Sequence, residues 1–298
     1  LTVSEAPAWA LLERMERESV DLPHYLFRRA CGMEAVPRSK PVVAWLKEHG
    51  WEAAPVVGTR APLDLAATPL HVFDLGVETV EFGVAPEAED APAWTDLLFG
   101  RIKSMGALVG VGRYDEVRRF YTSPIFQAPG EEAPEWRTVH LGVDLFLEPG
   151  SPVYAPYDAV VHSVAVNPGE LDYGPTVILE HRVQADGRDG ELTFWTLYGH
   201  LERDSIAILV KGLAVRKGDR IGAVGPYPEN GDWPPHLHFQ VILDRLDREG
   251  EFPGVARPSE RDVWLGLCPD PGPVLGLPEG EARPAPLEPD EIVRLRKS

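Results

Sequence analysis

Short apolar runs separated by turn residues dominate the chain from about residue 138 to residue 246. The runs VHLGVDLFL, PTVILEHRV, LTFWTLYGHL and HLHFQVIL each have the length of a strand, and Gly, Pro, Asn and Asp cluster between the runs. Many short strands with turn signals and no helical period are typical of an all-β domain. The pattern therefore predicts a core antiparallel sheet over residues 130–246.

The N-terminal region has a different, mixed pattern. Its first 50 residues predict three helices: one over residues 7–18, one that starts at Asp21, and one that starts at Ser39 and ends at Gly50. A Ser or Asp that precedes an apolar periodic segment is a typical helix start, and a Gly after it a typical stop. We expect this region to pack beside the sheet.

Four further segments complete the prediction for the N-terminal region and the tail. Residues 54–57 and 71–75 have the pattern of short strands, a helix is predicted through Trp94–Met105, and a strand at residues 107–111. After about Gly250 the chain is rich in Pro and Glu, which predicts an extended linker or wrap with one short helix near Ser259–Leu267.

These elements predict an α+β fold with three parts. Residues 1–125 form an N-terminal α/β accessory region, residues 126–248 a mostly antiparallel β domain, and residues 249–298 a C-terminal tail rich in Pro and Glu. With 44% hydrophobic and 26% charged residues, the 298-residue chain has enough apolar side chains for a sizeable core.

Charge and cysteine content exclude some classes of function. The net charge of −18 argues against a nucleic-acid partner, since the adjacent arginine pairs are only Arg28-Arg29 and Arg118-Arg119. Cys31 and Cys268 lack a CxxC partner, so neither a disulfide framework nor a thiolate zinc site is predicted. No run approaches the roughly 20 apolar residues of a membrane span. The sequence favours a cytoplasmic setting without a membrane partner, and leaves secretion after removal of a signal open.

Two histidines in the last apolar run share one face of a predicted strand. Side chains alternate along a strand, so His236, His238 and Gln240 lie on one face while the apolar residues between them face the core. The same alternation places His140 and Asp144 on one face of the run VHLGVDLFL, with the small Gly142 between them leaving room for an ion.

A third run adds another histidine to the candidate site. In TLYGHL the alternation predicts that Tyr198 and His200 share a face. Catalytic zinc takes three nitrogen or oxygen ligands and keeps one position open for water. Four histidines and one aspartate exceed that number, so two histidines would be free to act on the water or on a carbonyl. The residues alone do not decide which two.

The motifs HLGVD at residues 140–144, YGH at 198–200 and HLHF at 236–239 resemble, in order and spacing, the M23 family of zinc metallopeptidases, the lysostaphin and LytM type. The segments LEPGSPVYAPYDAVVHSV and VRKGDRIGAVG are similar to that family as well. The resemblance implies an M23-type fold over about residues 130–246. It also implies cleavage of peptide bonds in peptidoglycan or in shorter peptides.

The resemblance also implies roles for individual residues. His140, Asp144 and His238 would bind Zn²⁺, and His200 and His236 would be the catalytic histidines, one as general base and the other stabilising the oxyanion. The remaining histidines of the β region, His162 and His181, are predicted to be packing or hydrogen-bonding residues.

Two features favour a different function, a non-hydrolytic M23-fold module that binds a peptide or a small amino-containing ligand for a partner enzyme. The loop GPYPENGDWPP before HLHF is bulkier and more acidic than in the family, and its Tyr227 and Trp233 form either a stacking wall for a ligand or simple loop packing. The flanks RRACGMEAVPRSK and VGVGRYDEVRRFYTSPIF loosely resemble those bordering M23 domains in multidomain bacterial phosphotransferase and aminotransferase proteins.

Overall fold

The computed structural model describes residues 39–277, apart from residues 78, 80–81, 83–89, 119–120, 129–134 and 186–189. The helices predicted at residues 7–18 and from Asp21 lie outside the described residues, as do Cys31 and the tail after residue 277. Among the described residues, no helix combines the length and the apolar character needed to cross a membrane.

One eight-stranded sheet organises the described part of the chain. Its strands are, in chain order, β1 (Leu70–Val72), β2 (Val109–Gly112), β6 (Val143–Phe146), β8 (Ala159–Asn167), β9 (Gly174–Gln184), β10 (Glu191–Gly199), β11 (Ala214–Val215) and β13 (His236–Ile242). Their spatial order is β1-β2-β6-β13-β10-β9-β8-β11. All neighbours are antiparallel except β1 and β2, which run parallel. This confirms the predicted strand-rich, antiparallel fold.

Three small strand pairs lie next to this sheet. They are β3 (Gln127–Ala128) with β4 (Glu135–Trp136), β5 (Val139–His140) with β14 (Val255–Ala256), and β7 (Pro152–Tyr154) with β12 (Arg220–Ala223). The pairing of β5 with β14 matters for the site, because it ties the segment that carries His140 to the chain after residue 250.

Five α-helices are described: α1 (Ser39–His49), α2 (Ala91–Ser104), α3 (Arg203–Ile206), α4 (Arg261–Leu267) and α5 (Gly272–Leu275). The side chain of Asp90 caps α2 by accepting a hydrogen bond from the backbone N–H of Ala93 at 3.0 Å. The buried face of α2 packs on the sheet, and it consists of Ala91, Trp94, Leu98 and Ile102. Gly110 of β2 permits this approach, since a Cβ there would lie 2.8 Å from Ile102 Cδ1.

All three helices predicted among the described residues are found. α1 spans Ser39–His49 as predicted, α2 begins three residues before the predicted start at Trp94, and a 3₁₀ turn at Pro258–Glu260 leads into α4. Residues 54–57, predicted as a strand, are not one of the regular strands but lie antiparallel to the β7 segment. Val57 bridges Val153, Ala54 N–H donates to the carbonyl oxygen of Pro156 at 2.8 Å, and the carbonyl oxygen of Val56 accepts from Tyr154 N–H at 2.8 Å.

The N-terminal region does not simply pack beside the sheet, as predicted, but extends it. β2 pairs with β6 through Gly110–Phe146 and Gly112–Asp144, and β1 adds a further strand. The start of the tail is also more than a linker, since Phe252, Trp264 and Leu267 are buried in the main core. Pro and Glu occur on both sides of residue 277, so this content alone did not reveal that the start of the tail also carries enough large apolar side chains to pack. The three-part division of the chain stays a prediction.

Candidate active site

Three predicted ligands converge at the centre of the sheet. The register places Asp144 of β6 directly opposite His238 of β13, and His140 ends β5. His140 Nε2 lies 3.2 Å from Asp144 Oδ1, and His238 Nδ1 lies 3.1 Å from the same oxygen. The two ring nitrogens are 3.0 Å apart. The structure brings these side chains together, and their role as ligands stays a prediction.

Hydrogen bonds on the far side of each ring fix which nitrogen faces the other ligands. His140 Nδ1 lies 2.9 Å from the carbonyl oxygen of Arg113, and His238 Nε2 lies 2.9 Å from Gln240 Oε1. Both oxygens can only accept, so both of these ring nitrogens carry the proton. In the tautomer with this outer nitrogen protonated, the inward nitrogen presents a lone pair, which is the form that binds a metal.

This arrangement fits a cation. In this tautomer, two nitrogen lone pairs and a carboxylate oxygen lie within 3.2 Å of one another and would repel without a cation between them. In a tetrahedral zinc site with bonds of about 2.0–2.1 Å, neighbouring ligand atoms are about 3.3 Å apart. In the described part of the chain, this is the group of His, Cys, Asp and Glu side chains that offers three ligand atoms close together.

The electrostatics of the site favour the ligand forms at neutral pH. Burial, and after it the charge of Arg118, lowers the pKa of His140 to about 4. Burial alone would raise the pKa of Asp144, but the surrounding histidines and Arg118 outweigh burial and hold this pKa well below its usual range. His140 is therefore neutral, and Asp144 is an ionised carboxylate.

The two predicted catalytic histidines lie side by side next to this group. Their ring centroids are 4.3 Å apart, and His236 Nε2 is 3.7 Å from Asp144 Oδ1. His200 Nδ1 donates to the carbonyl oxygen of Asn230 at 2.8 Å, and His236 Nδ1 donates to that of Pro234 at 2.6 Å. Burial lowers the pKa of both rings, so both are neutral with an unprotonated Nε2.

His200 reaches the site by a route that strand alternation does not predict. β10 ends at Gly199, and His200 has a left-handed backbone with φ of 63°. The prediction that Tyr198 shares its face is wrong: Tyr198 is fully buried, packs on Phe239 and accepts a hydrogen bond from Thr196. The positive φ turns His200 out of the alternation, at a conformational cost of order 1 kcal/mol that is typical of functional sites.

The loop GPYPENGDWPP, which precedes β13, supports both histidines. Its carbonyl groups at Asn230 and Pro234 fix the two rings, and the Asn230 amide is itself bonded to the backbone of Trp233 at 2.9 and 3.3 Å. Trp233 is buried and lines the site, whereas Tyr227 is 46% exposed. Trp233 therefore forms part of the site wall, and Tyr227 does not.

Gly142 has a different role from the one predicted. A Cβ at this position would lie 2.7 Å from both His238 Cε1 and His238 Nε2, and 2.7 Å from the carbonyl oxygen of Phe239. The missing side chain therefore makes room for the His238 ring rather than for an ion.

Two residues that complete the site were missed by sequence reasoning. Arg118 Nη1 donates to Asp144 Oδ2 at 2.6 Å, although no local signal separates Arg118 from an ordinary surface arginine. Gln240 orients His238, and the signal was available: it shares a face with His236 and His238 on one strand. Its amide nitrogen donates to the carbonyl oxygen of Pro253 and to Cys268 Sγ, both at 3.1 Å.

The two other histidines of the β region have structural contacts, as predicted. His181 is buried, with Nδ1 at 3.1 Å from the carbonyl oxygen of Asp158 and Nε2 at 2.7 Å from Thr196 Oγ1. His162 is half-buried and contacts Ser163 Oγ at 3.1 Å.

A cavity of about 330 Å³ lies over the five site residues, and its lining is mostly apolar. One apolar cluster in the lining consists of Leu75, Trp94, Leu98 and Phe146, and a second includes Tyr121, Phe126, Leu171 and Trp233. The Phe146 ring is 5.2 Å from the His236 ring, so the first cluster begins directly beside a predicted catalytic histidine.

Comparison with known sequences gives a family match for part of the chain. The model of Peptidase family M23 matches residues 138–248. A protein of Haemophilus influenzae described as an uncharacterized metalloprotease is 32% identical over 137 residues, which make up 45% of this chain and 25% of that protein. The aligned part thus spans only about a quarter of that relative's length.

Two solved structures are similar over less than half of this chain. A zinc containing peptidase from Vibrio cholerae is 31% identical over 36% of this chain and 28% of that chain, with a TM-score of 0.28. The catalytic domain of the antimicrobial peptidase lysostaphin from Staphylococcus simulans is 26% identical over 41% of this chain and 77% of that chain, also with a TM-score of 0.28.

Proposed function

Because residues 138–248 form an M23 peptidase domain, we propose that this chain is a zinc-dependent endopeptidase whose metal ligands are His140, Asp144 and His238. The observation that supports this is the buried group of three candidate ligand atoms, His140 Nε2, Asp144 Oδ1 and His238 Nδ1, which lie 3.0–3.2 Å apart. When bound there, zinc would polarise the carbonyl of the scissile bond and lower the pKa of a water molecule.

His236 is the residue best placed to accept a proton from the attacking water. Its Nε2 lacks a proton and lies 3.7 Å from Asp144 Oδ1, whose negative charge stabilises the imidazolium that forms. The same nitrogen can then deliver this proton to the departing amine.

His200 can support the same step from beside His236, but its role depends on its protonation. Its Nδ1 donates to Asn230, so Nε2 of the neutral ring can accept a hydrogen bond and cannot donate one. Stabilising an oxyanion would require a protonated ring, which burial opposes. In the neutral form, His200 orients the attacking water by accepting a hydrogen bond from it.

The cavity lining supports a peptide substrate that carries an apolar side chain next to the cleaved bond. The wall beside His236 is apolar, formed by Leu75, Trp94, Leu98 and Phe146. The charged lining includes the pairs Arg248–Glu251 and Arg257–Glu260, so neither sign of charge dominates there. Peptides from peptidoglycan and other short peptides both remain in this class, whereas oligoglycine offers nothing to fill the apolar wall.

Metal analysis combined with turnover tests this function. The purified chain should contain about one zinc per molecule, lose hydrolysis on treatment with a chelator and regain it with added zinc. Peptides of equal length with Leu, Phe or Gly beside the scissile bond, together with peptidoglycan fragments, form the substrate panel. A chain that binds no zinc, or whose turnover is unchanged by chelation, would contradict the proposal.

Variants of the apolar wall test the substrate class. Trp94→Ala should raise KM for the Leu and Phe peptides about tenfold or more, the usual effect of losing part of an apolar subsite, with little change for glycine peptides. Trp51→Ala is the control, because Trp51 is 79% exposed and does not line the cavity. Equal effects of Trp94→Ala on all peptides would contradict the apolar preference.

The alternative, a non-hydrolytic module that binds a peptide or a small amino-containing ligand, gives a different result in the same experiments. The bulky loop that carries Asn230 and Trp233 is the feature that favours it. Such a module would bind zinc and show saturable binding of a panel peptide by calorimetry, without hydrolysis of any member of the panel.

A further inference from the structure

Arg118 places a buried positive charge directly behind the predicted metal ligand Asp144. It is 1% exposed and lies outside the M23-matched residues 138–248. Its Nη1 donates to Asp144 Oδ2 at 2.6 Å, while Asp144 Oδ1 is the oxygen that faces His140 and His238. The two carboxylate oxygens therefore have different partners, one an arginine and the other the metal group.

Glu116 and Tyr121 hold the guanidinium in this position. Arg118 Nε donates to Glu116 Oε2 at 2.9 Å, and Nη1 also donates to the Tyr121 hydroxyl at 3.1 Å. Glu116 is fixed in turn, because its Oε1 accepts from the backbone N–H of Leu75 at 3.0 Å and from Arg113 Nε at 2.9 Å. The planar fork of an arginine is thus anchored at both ends and cannot swing away from Asp144.

The same segment also holds His140. The carbonyl oxygen of Arg113 accepts the hydrogen bond of His140 Nδ1 at 2.9 Å. Gly112 leaves the space that Arg118 occupies, since a Cβ there would lie 2.7 Å from Arg118 Nη2. Residues 112–118 therefore make direct contacts with two of the three predicted ligands, although they precede the M23-matched residues.

We propose that Arg118 is a positioning residue that makes Asp144 bind the metal through one oxygen only. With Oδ2 engaged by the guanidinium, only Oδ1 is available to a cation, so the ion keeps an open position for water. Without this hydrogen bond, Oδ2 would be free to become an additional ligand. The inference rests on the proposed metal site but not on hydrolysis of any substrate.

Cobalt(II) is the probe, because its visible absorption is intense in four-coordinate sites and weaker at higher coordination number. The full chain carrying Arg118→Gln should bind zinc about 10- to 100-fold more weakly, as for other residues that orient metal ligands. Its cobalt(II) form should show a weaker visible band than the wild type. Arg118→Lys keeps the charge but not the planar fork, so its zinc affinity and its cobalt(II) band should lie between those of the wild type and of Arg118→Gln.

Arg261→Gln is the matched control. Arg261 is also a buried arginine with two hydrogen bonds to a carboxylate, at 2.7 and 2.5 Å, but its partner is Asp115 rather than Asp144. The Arg261→Gln variant should lower the melting temperature as Arg118→Gln does, but it should leave the cobalt(II) spectrum unchanged. If Arg118→Gln does not fold, two other variants test the inference in the same assay. They are Arg118→Lys and Glu116→Gln, the second of which removes one anchor of Arg118.

The possible results separate the inference from the proposed function. A wild-type chain that binds neither zinc nor cobalt(II) overturns the metal site itself, and the inference with it. A wild-type chain that binds both, with folded Arg118 variants of unchanged zinc affinity and cobalt(II) spectrum, overturns only the role of Arg118. If the cobalt(II) spectrum changes as much in Arg261→Gln as in Arg118→Gln, the role of Arg118 is overturned as well, because a general loss of stability would then explain the change.

Discussion

Gln240 controls the orientation of His238, and its replacement by leucine tests this control. The Gln240 side chain is fully buried, and its Oε1 accepts a hydrogen bond from His238 Nε2 at 2.9 Å. Gln240→Leu keeps a similar volume but removes the acceptor. His238 then loses the bond that keeps its proton on Nε2 and its lone pair on Nδ1, the atom that faces Asp144.

Two separate losses follow from the contacts of Gln240. Loss of an acceptor behind a ligating histidine weakens metal binding about 10- to 100-fold, which is about 1.4–2.8 kcal/mol. The carbonyl oxygen of Pro253 also loses its donor, the Gln240 amide at 3.1 Å, and an unpaired buried acceptor costs about 1–3 kcal/mol of folding free energy. The metal-free chain should therefore be less stable as well.

Gln240→Glu separates these two losses. A carboxylate still accepts from His238 Nε2 but cannot donate to the carbonyl oxygen of Pro253. Both variants should lose stability in urea unfolding without metal, while only Gln240→Leu loses zinc affinity in competition with a chelator of known affinity. If Gln240→Leu bound zinc as tightly as the wild type, the hydrogen bond would not be what orients His238.

Three further predictions concern the ligands, Gly142 and a buried histidine. Alanine at each of the three predicted ligands should remove zinc, as measured by atomic absorption. Alanine at either predicted catalytic histidine should leave zinc bound and lower kcat about 10²–10⁴-fold. The reverse pattern would show that the roles are exchanged. Gly142→Ala should displace the His238 ring and weaken zinc binding. The control is Gly100→Ala, which has open space around its Cβ and should leave zinc binding intact while stabilising α2 by up to about 1 kcal/mol. Equal zinc affinity in both variants would contradict this prediction. Burial lowers the pKa of His181 from 6.5 to about 4, so between these values the unfolded chain binds a proton that the folded chain does not. The free energy of unfolding should therefore fall as pH drops through this window, and it should fall less steeply in His181→Phe. Urea unfolding at several pH values checks this. If the free energy of unfolding had the same slope against pH in His181→Phe as in the wild type, burial of His181 would not be the cause.

The strand period was enough to predict part of the juxtaposition in the candidate site, whose residue roles stay a prediction. Alternation along β13 placed His236 and His238 on one face, and the register with β6 then brought Asp144 opposite His238. This succeeded because a strand buried on its other face has little freedom to slip by one residue. The helix from Ser39 was predictable for a similar local reason, a start signal followed by an apolar period and a stop signal at Gly50.

The missed features depend on contacts that are distant in sequence or on backbone exceptions. Arg118 meets Asp144 only because β2 pairs with β6, and nothing in the local sequence predicts that pairing. His200 enters the site through a positive φ, which a histidine adopts only where surrounding contacts impose it. The role of Gly142 required knowledge of where the His238 ring lies.

The pairing of β2 with β6 has a practical consequence for anyone who expresses part of this chain. A fragment cut to the M23-matched residues 138–248 would lose β2, and the edge of β6 from Asp144 to Phe146 would present unpaired N–H and C=O groups to solvent. Exposed edges of this kind attract strands from other molecules and promote aggregation. The smallest fragment that we expect to stay monomeric at high concentration keeps both β1 and β2, and therefore begins before Leu70 rather than at residue 138.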